Sequence, residues 1–87
     1  MSKNNPPTRL NVIARAPFHI YYEGEAEIIS AKNTVGNFDI LPGHADFFSM
    51  LVECTVHINH DDEVTKFPIK NGIIVVQNLD VSLFVNL

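Results

Sequence analysis

The amino-acid sequence predicts an all-β fold, an antiparallel β-sandwich of two packed sheets. Three observations carry that expectation. Apolar residues recur at every second position in short runs. Turn signals punctuate the chain about every 8–12 residues, the spacing of sandwiches and barrels. No stretch sustains a helical period between helix caps. Of the 87 residues, 46% are hydrophobic, enough for one modest core and one domain.

Residues 1–8 include Asn4, Asn5, Pro6 and Pro7 and offer little to bury, so they read as a mobile tail ahead of a domain over residues 9–87. Leu10, Val12 and Ala14 then share one parity against Asn11 and Arg15, with Ile13 as an apolar exception. Pro17 ends this strand, and Phe18, His19, Ile20, Tyr21 and Tyr22 read as a second. Glu23, Gly24 and Glu25 read as a turn, followed by a strand through Ile28 and Ile29 in which Glu23, Glu25 and Glu27 line one solvated face. A polar loop follows, with Gly36 as its bend. Phe38 and Ile40 share a parity and point into one core.

The next segment, Ile40, Leu41, Pro42, Gly43, His44 and Ala45, is the most distinctive. Proline presets φ near −65° and glycine supplies the positive φ that a type II turn needs at its third position. His44 stands at the exit of that rigid corner, ahead of the apolar Phe47, Phe48, Met50 and Leu51. Two readings are open for the corner: a plain tight turn, or a protein-contact ridge.

Beyond it, Val52, Cys54, Val56 and Ile58 alternate with Glu53, Thr55 and His57, a clean period of two. Asn59, His60, Asp61, Asp62 and Glu63 read as a polar hairpin tip, and Phe67 and Ile69 as an inward pair. Asn71-Gly72 is the strongest short-range turn signal in the chain. The run Ile73, Ile74, Val75, Val76 predicts a strand covered on both sides. After a turn at Gln77, Asn78, Leu79 and Asp80, Val81, Leu83 and Val85 alternate with Ser82, Phe84 and Asn86.

Several function classes lose support from composition. The formal net charge is −4, and the six lysines and arginines are dispersed, which disfavours nucleic acid as a partner. One cysteine, Cys54, rules out an internal disulfide and fits a reducing compartment. No apolar run approaches the roughly 20 residues of a membrane-spanning helix, so direct lipid insertion is not expected. Nor do residues 1–8 carry the apolar stretch of a secretory signal.

Catalytic and cofactor signatures are also lacking. Ser30, Ser49 and Ser82 have no nucleophile-elbow glycines around them. Cys54 falls on the inward face of its strand, as a small hydrophobe does. The four glycines are isolated, so no phosphate-cradling loop exists. His57 and His60, beside Asp61, Asp62 and Glu63, form the densest metal-ligating cluster, but the two histidines lie on opposite strand parities while zinc needs three or four converging ligands. A stand-alone binding module using His57 and His60 for a metal is thus the alternative reading, behind an interaction protein with no catalytic residues, no resident metal and no cofactor.

The order of these features resembles the N-terminal β-sandwich domain of the epsilon subunit of F-type ATP synthase (delta in mitochondria). The matching pieces are Tyr22-Glu23-Gly24-Glu25-Ala26, the loop with Gly36, the corner Ile40-Leu41-Pro42-Gly43-His44-Ala45, the Asn71-Gly72 turn with the strand after it, and the last strand. The likeness runs from about Leu10 to Leu87. Departures fall at Asp39, where a second glycine is usual, at Asp46, where a proline is usual, at Val52-Glu53-Cys54, which replaces a Lys-Pro-Gly-like turn, and at Asn71-Gly72, which replaces a paired glycine.

The resemblance implies a non-catalytic component of the rotor, coupling proton transport to ATP synthesis while docked on the gamma subunit and the c-ring. It places the chain on the cytoplasmic face of a bacterial inner membrane, held there through the complex. By position, Leu41, Pro42, Gly43 and His44 would face gamma. Lys32, Asn33, Thr34, Val35, Gly36 and Asn37 would face the c-ring. Relatives commonly add a C-terminal pair of helices that regulates hydrolysis; this sequence stops where the sandwich does, and neither an inhibitory role nor an ATP site is assigned to it.

Overall fold

The computed structural model describes residues 9–87; the tail expected over residues 1–8 lies outside them. Nine strands follow in order: β1 (Leu10–Ala16), β2 (His19–Ala26), β3 (Ile28–Lys32), β4 (Asn37–Ile40), β5 (Phe47–Leu51), β6 (Cys54–His60), β7 (Glu63–Ile69), β8 (Gly72–Gln77) and β9 (Asp80–Val85). They form two sheets, of order β2-β1-β9-β8-β5 and β4-β3-β6-β7. The expected two-layered all-β architecture is present. One pairing is parallel, β1 with β9; the remaining described pairings are antiparallel.

The alternation read from the sequence fills the space between the layers. Leu10, Val12 and Ala14 from β1, Ile74 and Val76 from β8, and Val81, Leu83 and Val85 from β9 are buried. They face Ile29, Ile40, Val56, Ile58, Phe67 and Ile69 of the smaller sheet, which are buried as well. No polar or charged side chain among the described residues is buried, so the core needs no internal hydrogen-bond network. Dispersion and water exclusion hold the layers together.

Three details differ from the sequence reading, each for a physical reason. Phe18 is not in a strand: with Pro17 it forms the tip joining β1 to β2, and its ring is fully exposed. Glu23, Gly24 and Glu25 do not turn; they continue β2, paired with Ile13, Val12 and Asn11, because Gly24 takes φ +151° and keeps the strand extended. Glu27 therefore leaves the face shared by Glu23 and Glu25 and sits at the bend where the chain changes sheets. Asn71-Gly72 closes no hairpin. It carries the chain from β7 in one sheet to β8 in the other. There glycine answers close packing rather than a special φ: a Cβ on Gly72 would lie 2.9 Å from the Phe84 carbonyl oxygen and 2.9 Å from Val85 Cγ1.

The register shift in β1–β2 resolves the double tyrosine. Ala14 pairs with Tyr22 but Arg15 pairs with Ile20, which leaves Tyr21 as the extra residue of a bulge. A bulge re-aims a side chain, and both tyrosines pack against the core. Tyr21 stacks on Phe67 of β7 with ring centres 4.6 Å apart, and its hydroxyl accepts a 3.1 Å hydrogen bond from Asn86 Nδ2. This stack closes the open side between edge strands β2 and β7.

Gly72→Ala is expected to lower the unfolding free energy by about 1–3 kcal/mol, the scale of overpacking, read as a drop in the urea midpoint at unchanged m-value. An unchanged midpoint would show that β9 yields freely and that the tight crossing is not a constraint.

Candidate functional site

The corner is built as the sequence requires. Gly43 has φ +89°, and the His44 amide donates to the Leu41 carbonyl at 3.0 Å, which closes the turn around Pro42. Leu41, Gly43 and His44 are exposed and Pro42 is half-buried. His44 Nδ1 lies 2.7 Å from the Ala45 carbonyl oxygen. A carbonyl only accepts, so Nδ1 carries a proton and Nε2 is left for a partner. The ring meets Phe47 edge-on, with centres 5.5 Å apart, and this contact fixes its direction. Asp46 Oδ1 accepts the Asn78 amide at 2.9 Å. That bond ties the exit of the corner to the β8–β9 turn, where Asn78 holds φ +55°.

The polar loop lies at the other end of β4. Lys32 closes β3 and Asn37 opens β4 as a terminal pair, and residues 33–36 form the turn between them. β4 runs only from Asn37 to Ile40, so about 10 Å of extended chain separates the loop from the corner. Val35 is 94% exposed at the loop tip. Asp39, where a glycine was usual, needs no left-handed backbone; it lies in β4 and accepts a 2.6 Å hydrogen bond from Ser30 Oγ.

A larger feature escapes the sequence reading. On the outer face of the five-stranded sheet, the pairings place Met50, Ile73, Phe84 and Arg15 in one row across β5, β8, β9 and β1. A second row holds Phe48, Val75, Ser82 and Ile13, and a third holds Gln77, Asp80, Asn11 and Glu25. The first two rows are therefore apolar toward β5, and the third row, nearest the corner, is polar and carries the acids Asp80 and Glu25. Phe48 and Met50 are 66% and 69% exposed, and Phe84 is 40% exposed. Ile73 and Val75 are only half-buried, so β8 is not covered on both sides as its apolar run implied. Contiguous exposed apolar residues of this kind mark an interaction site. The signal available in the sequence was Phe47, Phe48, Met50 and Leu51 together: a strand cannot turn both parities inward.

The metal reading fares differently. Among the described residues, the group whose ligand atoms lie within 4.8 Å of one another is Glu27, His60 and Asp61. His57 is not in it; it sits mid-strand between Ser30 and Lys66. The Arg9 guanidinium already meets Glu27 Oε2 and lies 3.2 Å from Asp61 Oδ1. Glu27 Oε1 accepts the Asp61 amide at 2.7 Å, holding that residue at φ +53°. His60 Nδ1 is 3.8 Å from Glu27 Oε2, and His60 Nε2 is 3.4 Å from Asp61 Oδ2. The cluster is a clasp between the start of β1 and the β6–β7 turn, not a site shared by His57 and His60. Cys54 packs half-buried against the core.

The fold thus presents an exposed corner at one end, a polar loop at the other, and on the outer face of the larger sheet two apolar rows that a polar row with Gln77 and Asp80 separates from the corner. The sequence profile described as "ATP synthase, Delta/Epsilon chain, beta-sandwich domain" matches residues 9–86, and the chain belongs to that family. It is 29% identical over 79 residues to the ATP synthase epsilon chain of Clostridium perfringens, covering 90% of this chain and 59% of the relative. Over 66 residues it is 38% identical to the epsilon chain of Clostridium novyi, covering 75% of this chain and 50% of that one. The chain thus spans about half the length of the relatives it matches. Among solved structures, it overlays a chain of the Euglena gracilis mitochondrial ATP synthase (OSCP/F1/c-ring) with a TM-score of 0.85 at 14% identity, covering 97% of this chain and 54% of that chain. A chain of the Tetrahymena thermophila mitochondrial ATP synthase central stalk/c-ring gives 0.75 at 16% identity, covering 93% and 66%. At such identities the overlays speak for the fold.

Near the clasp, burial is the first cause that raises the Tyr22 pKa above its usual 10.0, and the charges of Asp61, Glu25 and Glu63 add to it. Its hydroxyl donates to the Glu25 carbonyl. The folded chain holds that proton more tightly than the unfolded one. Its contribution to stability is therefore complete below the unfolded pKa and is lost as pH rises through the folded value. Urea midpoints of the native protein should fall more steeply above pH 10 than those of Tyr22→Phe; parallel declines would place the alkaline sensitivity elsewhere.

Proposed function

We propose that this chain is a non-catalytic central-stalk subunit of an F-type ATP synthase, docking on gamma and on the c-ring and coupling proton transport to ATP synthesis. The observation that carries this reading is the pair of apolar rows on the outer face of the five-stranded sheet, with Phe48 and Met50 exposed on the strand that the Leu41, Pro42, Gly43 and His44 corner leads into. A chain of this family with such a face has a ready surface for a rotor shaft. Gamma covers the corner and the β5 face. The ring meets Lys32, Asn33, Thr34, Val35, Gly36 and Asn37, together with the exposed Phe18 tip, since both lie at the end of the sandwich away from the corner.

Mechanically, the domain acts as a stiff spacer. Nine strands tied into two sheets resist shear because inter-strand hydrogen bonds join distant parts of the chain. Docking energy comes from removing the apolar face from water, at about 25 cal/mol per Å² before ordering costs. In this reading the protein sits at the cytoplasmic face of a bacterial inner membrane, held there by the complex rather than by lipid contact.

Purified polypeptide and the gamma subunit of the same cell should co-elute as one complex. Phe48→Glu or His44→Glu should weaken that complex by about 1–3 kcal/mol, the scale of losing an interface anchor, measured by titration calorimetry. Separate elution at micromolar concentrations, or affinities unchanged by both substitutions, would remove gamma as the partner of this face.

A further inference from the structure

We infer that Asn33 is a positioning residue, a latch that stiffens the ring-facing loop and fastens it to the strand carrying the gamma-facing surface. The inference rests on the docking sites proposed above and adds how load passes between them.

Asn33 does more than shape its own turn. Its backbone exchanges hydrogen bonds with Gly36, N–H to carbonyl at 3.1 Å and carbonyl to N–H at 3.2 Å. Its Oδ1 accepts from the amides of Val35 at 2.9 Å and Gly36 at 3.2 Å, an Asx turn that fixes the loop tip. Those bonds exhaust what the turn requires. The remaining group, Nδ2, reaches out of its own sheet and donates to Ser49 Oγ of β5 at 3.2 Å. Ser49 in turn donates to the Met50 carbonyl at 3.2 Å. Beside this contact the Val52 amide donates to the Lys32 carbonyl at 3.1 Å. One cross-sheet bond therefore joins the loop to β5 and a second joins the end of β3 to the residue after β5, on the side where edge strands β4 and β5 leave the sandwich open.

The side chains on either side of the latch explain its use. Val35 stands almost wholly exposed on a tip that Asn33 holds rigid. Met50 stands exposed on the outer face of the strand that Ser49 belongs to. A force on the tip passes through Asn33 and Ser49 into β5 without crossing the core. A polar pair at a half-buried rim also suits Ser49, whose neighbour across the ladder, Ile74, is fully buried.

The test uses the whole polypeptide as the cell makes it, assembled first with gamma and then with membranes bearing the c-ring. Ser49→Ala removes the cross-sheet bond and leaves the Asx turn intact; Ser49→Thr keeps the hydroxyl. Ser49→Ala should weaken association of the gamma complex with ring-bearing membranes about five- to tenfold, the scale of one part-buried hydrogen bond. Binding to gamma should fall by less than ring association, because Phe48 and Met50, not Ser49, are the β5 side chains that stand exposed on the outer face, and Ser49→Thr should restore ring association. Amide hydrogen exchange at Val35 and Gly36 should quicken in Ser49→Ala while β8 and β9 are unchanged. Asn33→Ala combined with Ser49→Ala should be no worse than Asn33→Ala alone, because the two side chains form one latch. Ring association unchanged by Ser49→Ala, an equal loss of gamma binding, or additive losses in the double variant would each overturn the latch. Failure of the unaltered protein to bind gamma or the ring would overturn the docking assignment instead.

Discussion

The constraint on which the rest of the structure depends is the period of two. Each strand that sends alternate side chains into the shared core must send the others out, and the core accepts only apolar groups. Leu83 and Val85 inside place Phe84 outside; Ile74 and Val76 inside place Ile73 and Val75 outside. The apolar outer face is thus not a by-product of core packing. Water would favour polar residues there, as it has at Thr55 and Lys66 on the smaller sheet. Phe48, Met50 and Phe84 stand where no described residue covers them, the kind of exposed apolar surface that marks an interaction site.

Chain crossings gather at the two ends: the corner, the Glu27 bend and the Asp61 turn at one, and the polar loop, the Phe18 tip and the Asn71-Gly72 crossing at the other. Each end is fastened by its own polar contacts. Glu27 and Asp61 hold Arg9 at the first, and Asn33 with Ser49 bridges the layers at the second. Exposed ion pairs of this kind contribute little stability singly. Their use is geometric, keeping loops at fixed positions on a small body. An 87-residue chain has little hydrophobic surplus for holding loops by burial.

Much of this was legible in the sequence, and the reasons for the rest are specific. Alternation at Leu10, Val12 and Ala14, at Val56 and Ile58, and at Val81, Leu83 and Val85 gave the inner faces because burial enforces it directly. Pro42-Gly43 gave the corner because φ demands are local. Asn71-Gly72 marked a turn but not which strands it joins, because a hairpin and a sheet crossing use the same turn residues, and only the long-range pairing of β8 with β5 and β9 tells them apart. Gly24 misled because glycine also serves an extended edge strand. The outer apolar face and the Asn33–Ser49 contact depend on which strands become neighbours, 16 positions apart in the latter case, and no local pattern encodes that.

The central claim is that one sheet face and one end loop are covered by different partners. Amide hydrogen exchange on the assembled complex, compared with the isolated polypeptide, reads this directly, residue by residue. The account predicts new protection over residues 41–51 when gamma is added, and further protection over residues 33–36 only when the ring is present. Protection falling instead on the outer face of β3, β6 and β7, with Phe48 and Met50 still exchanging freely, would contradict it.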